Sequence, residues 1–283
     1  MINSQLVLSL FSGIGLLDSG FESNGFCVVR APEKILGGDV RNFHCSKGFF
    51  TGIIGGPPCQ DFSRLRRTEP TGEGLELLGE FCRIVLESDC DWFLMENVPG
   101  VPSLEIDGYH IQRFDLSPLH VGHKQSRLRH FQFGSKTGLI LNIKRMDFEG
   151  VAEPCVTATE GSRIGKRSFQ EFCELQGLPA GYDLPELHKV AKYRAVGNGV
   201  HAAVSNEVSR AILEALTSEN PFTIFNSKLC ACGCGRFVFG KQVTANQTCR
   251  KRLSRKRDGL ITVKYQNVTC DLTGVIEPKF VTV

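Results

Sequence analysis

The segment at residues 55–63 constrains the fold of this chain most, because it sets a cysteine in a rigid turn directly after an apolar run. The run is residues 51–54, and the turn reads Gly-Gly-Pro-Pro-Cys-Gln with its cysteine at position 59. Proline fixes its own backbone φ and removes a backbone donor, so two prolines end a strand and stiffen the turn. A thiol held there is positioned to react, whereas a structural cysteine more often lies inside the strand. Cys59 is therefore a candidate nucleophile.

The start of the chain predicts the architecture in which this turn lies. Residues 6–10 read as a short buried strand, Gly13 and Gly15 follow in a turn, and residues 16–22 have a helical pattern. A strand, a glycine-rich turn and a helix open a doubly wound nucleotide-binding sheet. We therefore predict an α/β fold with a doubly wound, mostly parallel, Rossmann-like sheet, in which the fourth strand leads to Cys59.

Further elements follow from the pattern of apolar residues. Residues 25–29 and 92–95 read as strands, and residues 75–88 have near-helical spacing. Glu96 ends the strand at 92–95, so Glu96 and Cys59 should lie at the carboxyl ends of neighbouring strands. Residues 125–134 alternate as one half-buried strand, with Gln125, Arg127 and Arg129 on one face. Helices are predicted at 168–176, capped by Ser168 with Glu171, and from 193 to about 216.

Composition sets the class of protein. The chain has 283 residues, of which 41% are hydrophobic and 22% charged, as expected for one sizeable α/β domain plus something smaller. No run approaches the ~18 apolar residues of a membrane span, and the first residues do not resemble a secretory signal. The twelve cysteines are scattered and then clustered, which favours reduced thiols and a metal over disulfides. We expect a cytoplasmic protein.

Charge divides the chain into two parts. Residues 222–283 contain 11 Lys and Arg but only 3 Asp and Glu, although the whole chain has a net charge of +3. The densest basic run lies at residues 250–257. Clustered cations bind phosphates well, because binding releases counterions, although a charge run can also be plain solvated surface. We expect this part of the chain to contact nucleic acid.

Five motifs, taken in order, resemble those of the cytosine-5 methyltransferases, which act mostly on DNA. The resemblance covers roughly residues 5–216. The motifs are Phe-Ser-Gly-Ile-Gly at 11–15, Pro-Pro-Cys-Gln at 57–60, Glu-Asn-Val at 96–98, Gln-x-Arg-x-Arg at 125–129 and Gly-Asn-Gly-Val at 197–200.

This resemblance implies roles for four residues. Cys59 matches the nucleophile that adds to carbon 6 of cytosine, so that carbon 5 can attack a methyl sulfonium. Glu96 matches the acid that meets ring nitrogen 3, and Asn97 would support it. Arg127 matches an arginine that contacts the base. A buried salt bridge remains an alternative role for Arg127 and Arg129.

The methyl donor implied by the resemblance is S-adenosylmethionine, lying across the first turn. Glu33 is the candidate for the ribose hydroxyls, with plain surface as the alternative, and Asp39 matches the acid near the adenine amino group. Asn198 matches a cofactor-lining residue, or it merely shapes a Gly-x-Gly helix entry. The full expected set is Phe11, Gly13, Ile14, Gly15, Glu33, Asp39, Pro58 and Asn198.

The expected substrate is double-stranded DNA with the target cytosine turned out of the stack, because both faces of the ring must be reached. Residues 63–74 follow Cys59 where the family has a mobile closing loop, whose arginines can hold phosphates. The expected substrate-binding residues are Gln60, Ser63, Arg64, Asn97 and Arg129. We expect a monomer.

The chain departs from the family pattern between residues 135 and 175, where the family has a much larger target-recognition region. We therefore predict a catalytic domain at 1–137 completed by 188–217, a reduced recognition segment at 138–187, and a separate basic module at 222–283. RNA enzymes of the same family also have a reduced recognition region, so a transfer RNA cytosine-5 methyltransferase is an alternative. A catalytically silent nucleic-acid-binding regulator is another, although Cys59, Glu96 and Arg127 are all present.

The basic module contains closely spaced cysteines. Cys230, Cys232, Cys234 and Cys249 supply four thiols in a segment whose core is thin. We predict a zinc-ribbon-like module in which these four residues hold a structural zinc ion. Free thiols, or three cysteines with another ligand, remain alternatives, and Cys270 could also serve as a ligand.

Overall fold

The computed structural model describes residues 5–34, 37–63, 69–224, 228–232, 237–238, 242–244, 247–257 and 268–270. The strands are β1 (Leu6–Leu10), β2 (Cys27–Arg30), β3 (Gly52–Gly55), β4 (Trp92–Asn97), β5 (Leu104–Ile106), β6 (His110–Leu116), β7 (Gln125–Ser126), β8 (Arg129–Ser135), β9 (Glu153–Pro154), β10 (Lys228–Leu229), β11 (Phe237–Val238) and β12 (Val268–Cys270). The α-helices are α1 (Leu16–Ser23), α2 (Glu73–Ser88), α3 (Phe169–Leu175), α4 (Lys189–Asn198), α5 (Ala202–Thr217) and α6 (Gln247–Arg257).

The central sheet has six strands in the order β2-β1-β3-β4-β8-β6. Strands β1 to β4 pair in parallel, whereas β8 runs antiparallel to both β4 and β6. The parallel half is built from strand-helix-strand units, as the glycine turn at residues 11–15 predicts. The predicted α/β fold with a mostly parallel sheet is therefore confirmed.

Helices cover both faces of the sheet, which explains why its central strands are largely apolar. All six residues of β4 are buried. Alternate residues of β1, β3 and β4 pack toward opposite faces, one covered by α2 and the other by α1 and α5. The face toward α2 buries Leu8, Leu10, Ile53, Phe93 and Met95, and the opposite face buries Val7, Ile54, Trp92 and Leu94.

The strand before Cys59 is the third among the described residues, so the prediction that it is the fourth was wrong. Between β2 and β3 the described residues form no strand, and Val40–Asn42 form a short 3-10 turn that Asp39 caps by accepting a hydrogen bond from the Arg41 N–H. The neighbouring strand was predicted correctly. β3 pairs with β4 from Gly52–Trp92 to Gly55–Met95, so the segments after both strands emerge at one edge of the sheet.

Two predicted elements are each divided in the structure. The single strand predicted at 125–134 is interrupted at residues 127–128, because β7 pairs with β9 while β8 pairs with β4 and β6. The helix predicted from 193 to 216 is two helices, α4 and α5. Gly199 between them is extended, and the His201 side chain caps α5 by accepting from the Ala203 N–H.

The predicted helix at 168–176 corresponds to α3. The Ser168 side chain accepts from the Glu171 N–H, and the Glu171 carboxylate accepts from the Ser168 N–H. This reciprocal capping box satisfies backbone donors at the start of the helix. Gly177 follows the helix with a φ of 78°, in the region that favours glycine.

The C-terminal part of the chain contains β10, β11, α6 and β12. β10 and β11 form a small antiparallel hairpin, and β12 pairs in parallel with β5. Within the described ranges, no helix combines the length and the apolar character required to cross a membrane.

Candidate active site

The thiol of Cys59 lies on a turn fixed by contacts with the end of β4. The Asn97 side chain is buried, and its Nδ2 donates to the Pro57 carbonyl at 3.0 Å. Gly56 brings the backbone close to Glu96, since a Cβ added there would lie 3.1 Å from the Glu96 Oε2. Cys59 itself is half-buried and precedes a 3-10 turn at Gln60–Phe62. This turn at residues 55–60, called the elbow below, therefore holds its thiol beside a carboxyl group.

Glu96 is a buried acid that forms an ion pair with Arg129. Its residue is 8% exposed, and its Oε1 lies 3.0 Å from the Arg129 Nε. Burial raises the pKa of the Glu96 carboxyl, while the positive charges of Arg129 and Arg127 act in the opposite direction. A carboxyl group whose pKa is raised keeps its proton to a higher pH than usual, which suits a general acid.

The same groups act on the nucleophile. Burial raises the pKa of the Cys59 thiol, the charge of Glu96 raises it further, and the charges of Arg129 and Arg127 lower it. A protonated Glu96 no longer repels the thiolate. The protonation states of Cys59 and Glu96 are therefore linked.

Arg127 is buried and binds backbone carbonyls of two distant segments. Its NH1 donates to the Val156 carbonyl at 2.9 Å, and its NH2 donates to the carbonyls of Gly197 and Gly199 at 2.8 and 3.0 Å. Its NH1 also lies 3.4 Å from the Cys155 Sγ. The buried Nε has no partner among the described residues. Arg127 thus joins the segment around Val156 to the end of α4. Unlike Arg129, it binds backbone carbonyls instead of a carboxylate.

Two glutamines support this arrangement, and sequence analysis gave neither of them a role. The Gln125 Nε2 donates to the Leu175 carbonyl at 2.6 Å and to the Gln176 Oε1 at 3.0 Å. The Gln176 Nε2 donates to the Gly199 carbonyl at 2.8 Å, the same carbonyl that Arg127 binds. Gln125 could have been found as the first residue of the Gln-x-Arg-x-Arg motif, but no local signal indicates Gln176.

A cleft of about 520 Å³ opens beside the glycine-rich turn after β1. Gly13 and Gly15 have φ values of 55° and 80°, and a Cβ at Gly13 would meet no atom within 4 Å. The backbone therefore leaves room for a ligand to approach closely. The cleft is lined by Ser12, Gly13, Ile14, Arg30, Ala31, Pro32, Glu33 and Gly38.

Charged groups at this cleft suit a ligand with hydroxyl and amino groups. The Glu33 carboxylate accepts from the Gly13 N–H at 3.0 Å and retains capacity for ribose hydroxyls. Arg30 lines the cleft and is held by the buried Asp18 at 2.7 Å, a contact that sequence analysis missed. The volume and the acceptor fit an adenosyl cofactor.

Besides Gly15, four residues of the expected cofactor set are not among those that line this cleft, namely Phe11, Asp39, Pro58 and Asn198. Phe11 has a positive φ of 55° and packs against the core on the α2 side. Asp39 caps its own turn and pairs with Arg41 at 3.2 Å, and hydrogen bonds from Arg41 lower the pKa of its carboxyl. Pro58 is half-buried in the elbow, and Asn198 is the exposed last residue of α4.

The expected substrate-binding residues divide between the elbow and the end of β4. Gln60 is exposed directly after Cys59, and Ser63 is half-buried. Arg64 lies outside the described residues. Asn97 contacts the elbow backbone, and Arg129 contacts Glu96. Of the four expected metal ligands, Cys230, Cys232 and Cys249 come together, and Cys234 lies outside the described residues.

Sequence comparison identifies a family for most of the catalytic part. Residues 6–159 match the family model described as C-5 cytosine-specific DNA methylase. The Type II methyltransferase M.FnuDI of Fusobacterium nucleatum is 33% identical over 175 residues, or 50% of this chain and 49% of that protein. The Type II methyltransferase M.NgoPII of Neisseria gonorrhoeae is 33% identical over 209 residues, or 66% of this chain and 55% of that protein.

The fold is also similar to that of a solved methyltransferase, EhMeth of Entamoeba histolytica. The TM-score is 0.59 at 14% identity, and the match covers 76% of this chain and 100% of that one. At this identity, the similarity concerns the fold alone. The chain spans about half the length of the curated relatives that it matches.

Proposed function

Since this chain belongs to the C-5 cytosine-specific DNA methylase family, we propose that it transfers a methyl group from S-adenosylmethionine to carbon 5 of cytosine in double-stranded DNA. The observation that carries this proposal is the meeting of three groups at one edge of the sheet. The Cys59 thiol, the buried Glu96 carboxyl and the Arg129 guanidinium interact there. Each corresponds to a need of cytosine methylation.

The first need is a nucleophile. The thiolate of Cys59 adds to carbon 6 of the ring, and the electron pair of the 5,6 double bond becomes available at carbon 5. The elbow supports this step, because the two prolines stiffen the turn and the Asn97 side chain binds its backbone at the Pro57 carbonyl instead of the Cys59 thiol. After methylation, carbon 5 loses its proton to a base, for which water is the candidate, and the bond between sulfur and carbon 6 breaks.

The second need is a group that meets the charge pushed into the ring. The Glu96 carboxyl, whose pKa is raised by burial, donates a proton to ring nitrogen 3 as the thiolate adds. Arg129 orients the carboxyl through Oε1. Arg127 contributes a buried Nε–H that has no partner among the described residues, and a buried donor of this kind suits an acceptor on the base.

The methyl donor supplies an activated methyl group on sulfur when it is bound. Gly13, Ile14 and Glu33 would hold it in the cleft after β1. The glycines at 13 and 15 would let it approach the backbone, and the Glu33 carboxylate would accept hydrogen bonds from its hydroxyls. We infer that the target cytosine rotates out of the duplex, since a stacked base exposes neither ring face to Cys59.

Trapping tests the covalent step. The full chain is incubated with S-adenosylmethionine and duplex DNA containing 5-fluorocytosine, which cannot lose a proton from carbon 5. We expect a stable protein–DNA adduct that peptide mass spectrometry assigns to Cys59. The Cys59→Ser variant serves as the control and should form none. An active enzyme that leaves no adduct on Cys59 would overturn the covalent mechanism.

Transfer RNA is the second candidate substrate, favoured by the short segment between residues 135 and 175. Labelled S-adenosylmethionine is offered with duplex DNA in one reaction and transfer RNA in another. Incorporation of label into DNA supports the proposal. Incorporation into RNA alone would mean that transfer RNA, and not DNA, is the substrate. Binding of DNA without transfer to either substrate would favour a silent regulator instead.

A further inference from the structure

A cluster of thiols lies in the C-terminal part of the chain, outside the catalytic site. The Sγ atoms of Cys230, Cys232 and Cys249 all lie within 4.8 Å of one another. Those of Cys230 and Cys232 are 3.5 Å apart. All three residues are 2% exposed or less. Two of these cysteines follow β10 and the third lies in α6, so the cluster joins the hairpin to the helix.

Few other apolar side chains are buried among the described residues of this part of the chain. Among the described residues, Val238 is the other buried member of the cluster, and Leu253 packs against it from α6. β10 and β11 contain two residues each. A core of this size buries too little apolar surface to offset the entropy of ordering the chain, so such modules need a metal or a covalent link.

The thiols are spaced for a tetrahedral ion. With zinc–sulfur bonds of about 2.3 Å, tetrahedral geometry places two ligand sulfurs about 3.8 Å apart. The Cys230–Cys232 separation of 3.5 Å is close to this value, and the other two separations, both within 4.8 Å, are compatible with it after small shifts. Cys249 is the third residue of α6, where the positive end of the helix dipole favours a thiolate. Thiolates select zinc over magnesium or calcium.

We propose that Cys230, Cys232 and Cys249 are ligands of one structural zinc ion that anchors helix α6 to the β10–β11 hairpin. Binding releases the protons of the three thiols. Leu253, one turn after Cys249, packs toward the cluster, whereas Arg250 and Lys251 are exposed. The ion therefore holds the helix with these two cations facing outward. This proposal is independent of the methyl-transfer reaction.

Metal content tests the site directly. The full chain is purified without chelator, and zinc is measured by mass spectrometry. We expect about one zinc per chain, falling at least about fivefold in each of Cys230→Ser, Cys232→Ser and Cys249→Ser. Cys27→Ser removes an exposed thiol in β2 and should leave the zinc content unchanged. Unchanged zinc in all three cluster variants, or no zinc in the parent chain, would overturn the proposal.

Two measurements on the parent chain remain decisive if the variants do not fold. Cobalt added to the chelator-treated protein should give a thiolate-to-metal charge-transfer band together with the strong visible bands of a tetrahedral site. Trypsin should cleave within residues 250–257 at least about tenfold faster after chelation, because the helix loses its anchor. A cobalt complex without the charge-transfer band, or cleavage that chelation does not change, would contradict the site.

Discussion

At the scale of single residues, the candidate site depends on charges that oppose one another around one thiol. Glu96 raises the pKa of Cys59, and Arg129 and Arg127 lower it. Arg129 also pairs with Glu96, so one guanidinium affects both the acid and the nucleophile. Burial raises the pKa values of both the Cys59 thiol and the Glu96 carboxyl, and the two guanidinium groups oppose this rise in each case.

Replacing the nucleophile tests the role of Cys59. We expect Cys59→Ser to lower methyl transfer at least about a thousandfold, because a hydroxyl does not add to the ring at neutral pH. The free energy of unfolding should change by less than about 1 kcal/mol, since the residue is only half-buried. Initial rates of label incorporation and urea unfolding measure the two quantities. Cys27→Ser is the matched control, and more than a tenth of the parent rate in Cys59→Ser would exclude Cys59 as nucleophile.

Neutralising the two partners of Cys59 should shift its titration in opposite directions. Glu96→Gln removes a negative charge, so the pKa of the Cys59 thiol should fall, whereas Arg129→Gln removes a positive charge and should raise it. The rate of alkylation by iodoacetamide follows the thiolate fraction as pH rises, and peptide mass spectrometry resolves each cysteine. The exposed Cys27 serves as the internal control and should be alkylated at the same rate in all three proteins. Shifts of the same sign in both variants would contradict this account.

At the scale of elements, the site depends on close approach between helices that are distant in sequence. Gly20 in α1 faces Ser205 in α5, and a Cβ at Gly20 would lie 2.2 Å from the Ser205 Oγ and 2.5 Å from its carbonyl carbon. Gly197 similarly allows α4 to approach the backbone of Thr157 and Ala158. Close packing therefore explains both glycines. At Gly197, the same packing fixes the backbone whose carbonyl accepts a hydrogen bond from Arg127.

The α1–α5 contact predicts an unfavourable glycine-to-alanine change inside a helix. Alanine is the better helix former by about 1 kcal/mol, but the added methyl group would meet the α5 backbone, which cannot rotate away. We expect Gly20→Ala to lower the free energy of unfolding by about 1–2 kcal/mol. Chemical denaturation measures it. Ser23→Ala, on the exposed side of the same helix, should change it by less than about 0.5 kcal/mol. Increased stability of Gly20→Ala would contradict the packing described.

At the scale of the whole molecule, the two ends of the chain carry different charge. Residues 222–283 are strongly basic, and the other residues are acidic on balance. β12 from the basic part pairs with β5, which follows the catalytic strand β4. This pairing brings the basic part to the catalytic part through backbone hydrogen bonds. If DNA is the substrate, as proposed, the basic residues would hold the duplex on the same molecule that presents the Cys59 thiol to its target base.

Charge reversal in α6 tests this arrangement. We expect the double variant Arg250→Glu and Lys251→Glu to weaken DNA binding and to reduce the salt slope of log K by about 2, because two phosphate contacts are lost. Fluorescence anisotropy across a salt series measures both. Lys47→Glu is the control, because it also reverses an exposed cation. Lys47 precedes β3, at the edge of the sheet opposite to Cys59, so this variant should leave the slope nearly unchanged. Equal slopes in all three proteins would rule out a phosphate-binding role for α6.

Local features of this protein follow from its sequence alone. The apolar runs before Cys59 and Glu96 identify buried neighbouring strands, and Ser168 with Glu171 identifies the start of α3. These features depend on residues that are close together in the chain, so periodicity and capping rules can identify them. The motif order also indicated the family, which the match to residues 6–159 confirms.

Only the tertiary structure decided how distant segments meet. It divided two predicted elements, at residues 127–128 and at Gly199, because each half pairs or packs with a different neighbour. It also paired Arg129 with Glu96 and turned Arg127 toward the carbonyls of Val156, Gly197 and Gly199. A buried guanidinium needs acceptors wherever the fold supplies them, and local sequence does not specify contacts across such separations.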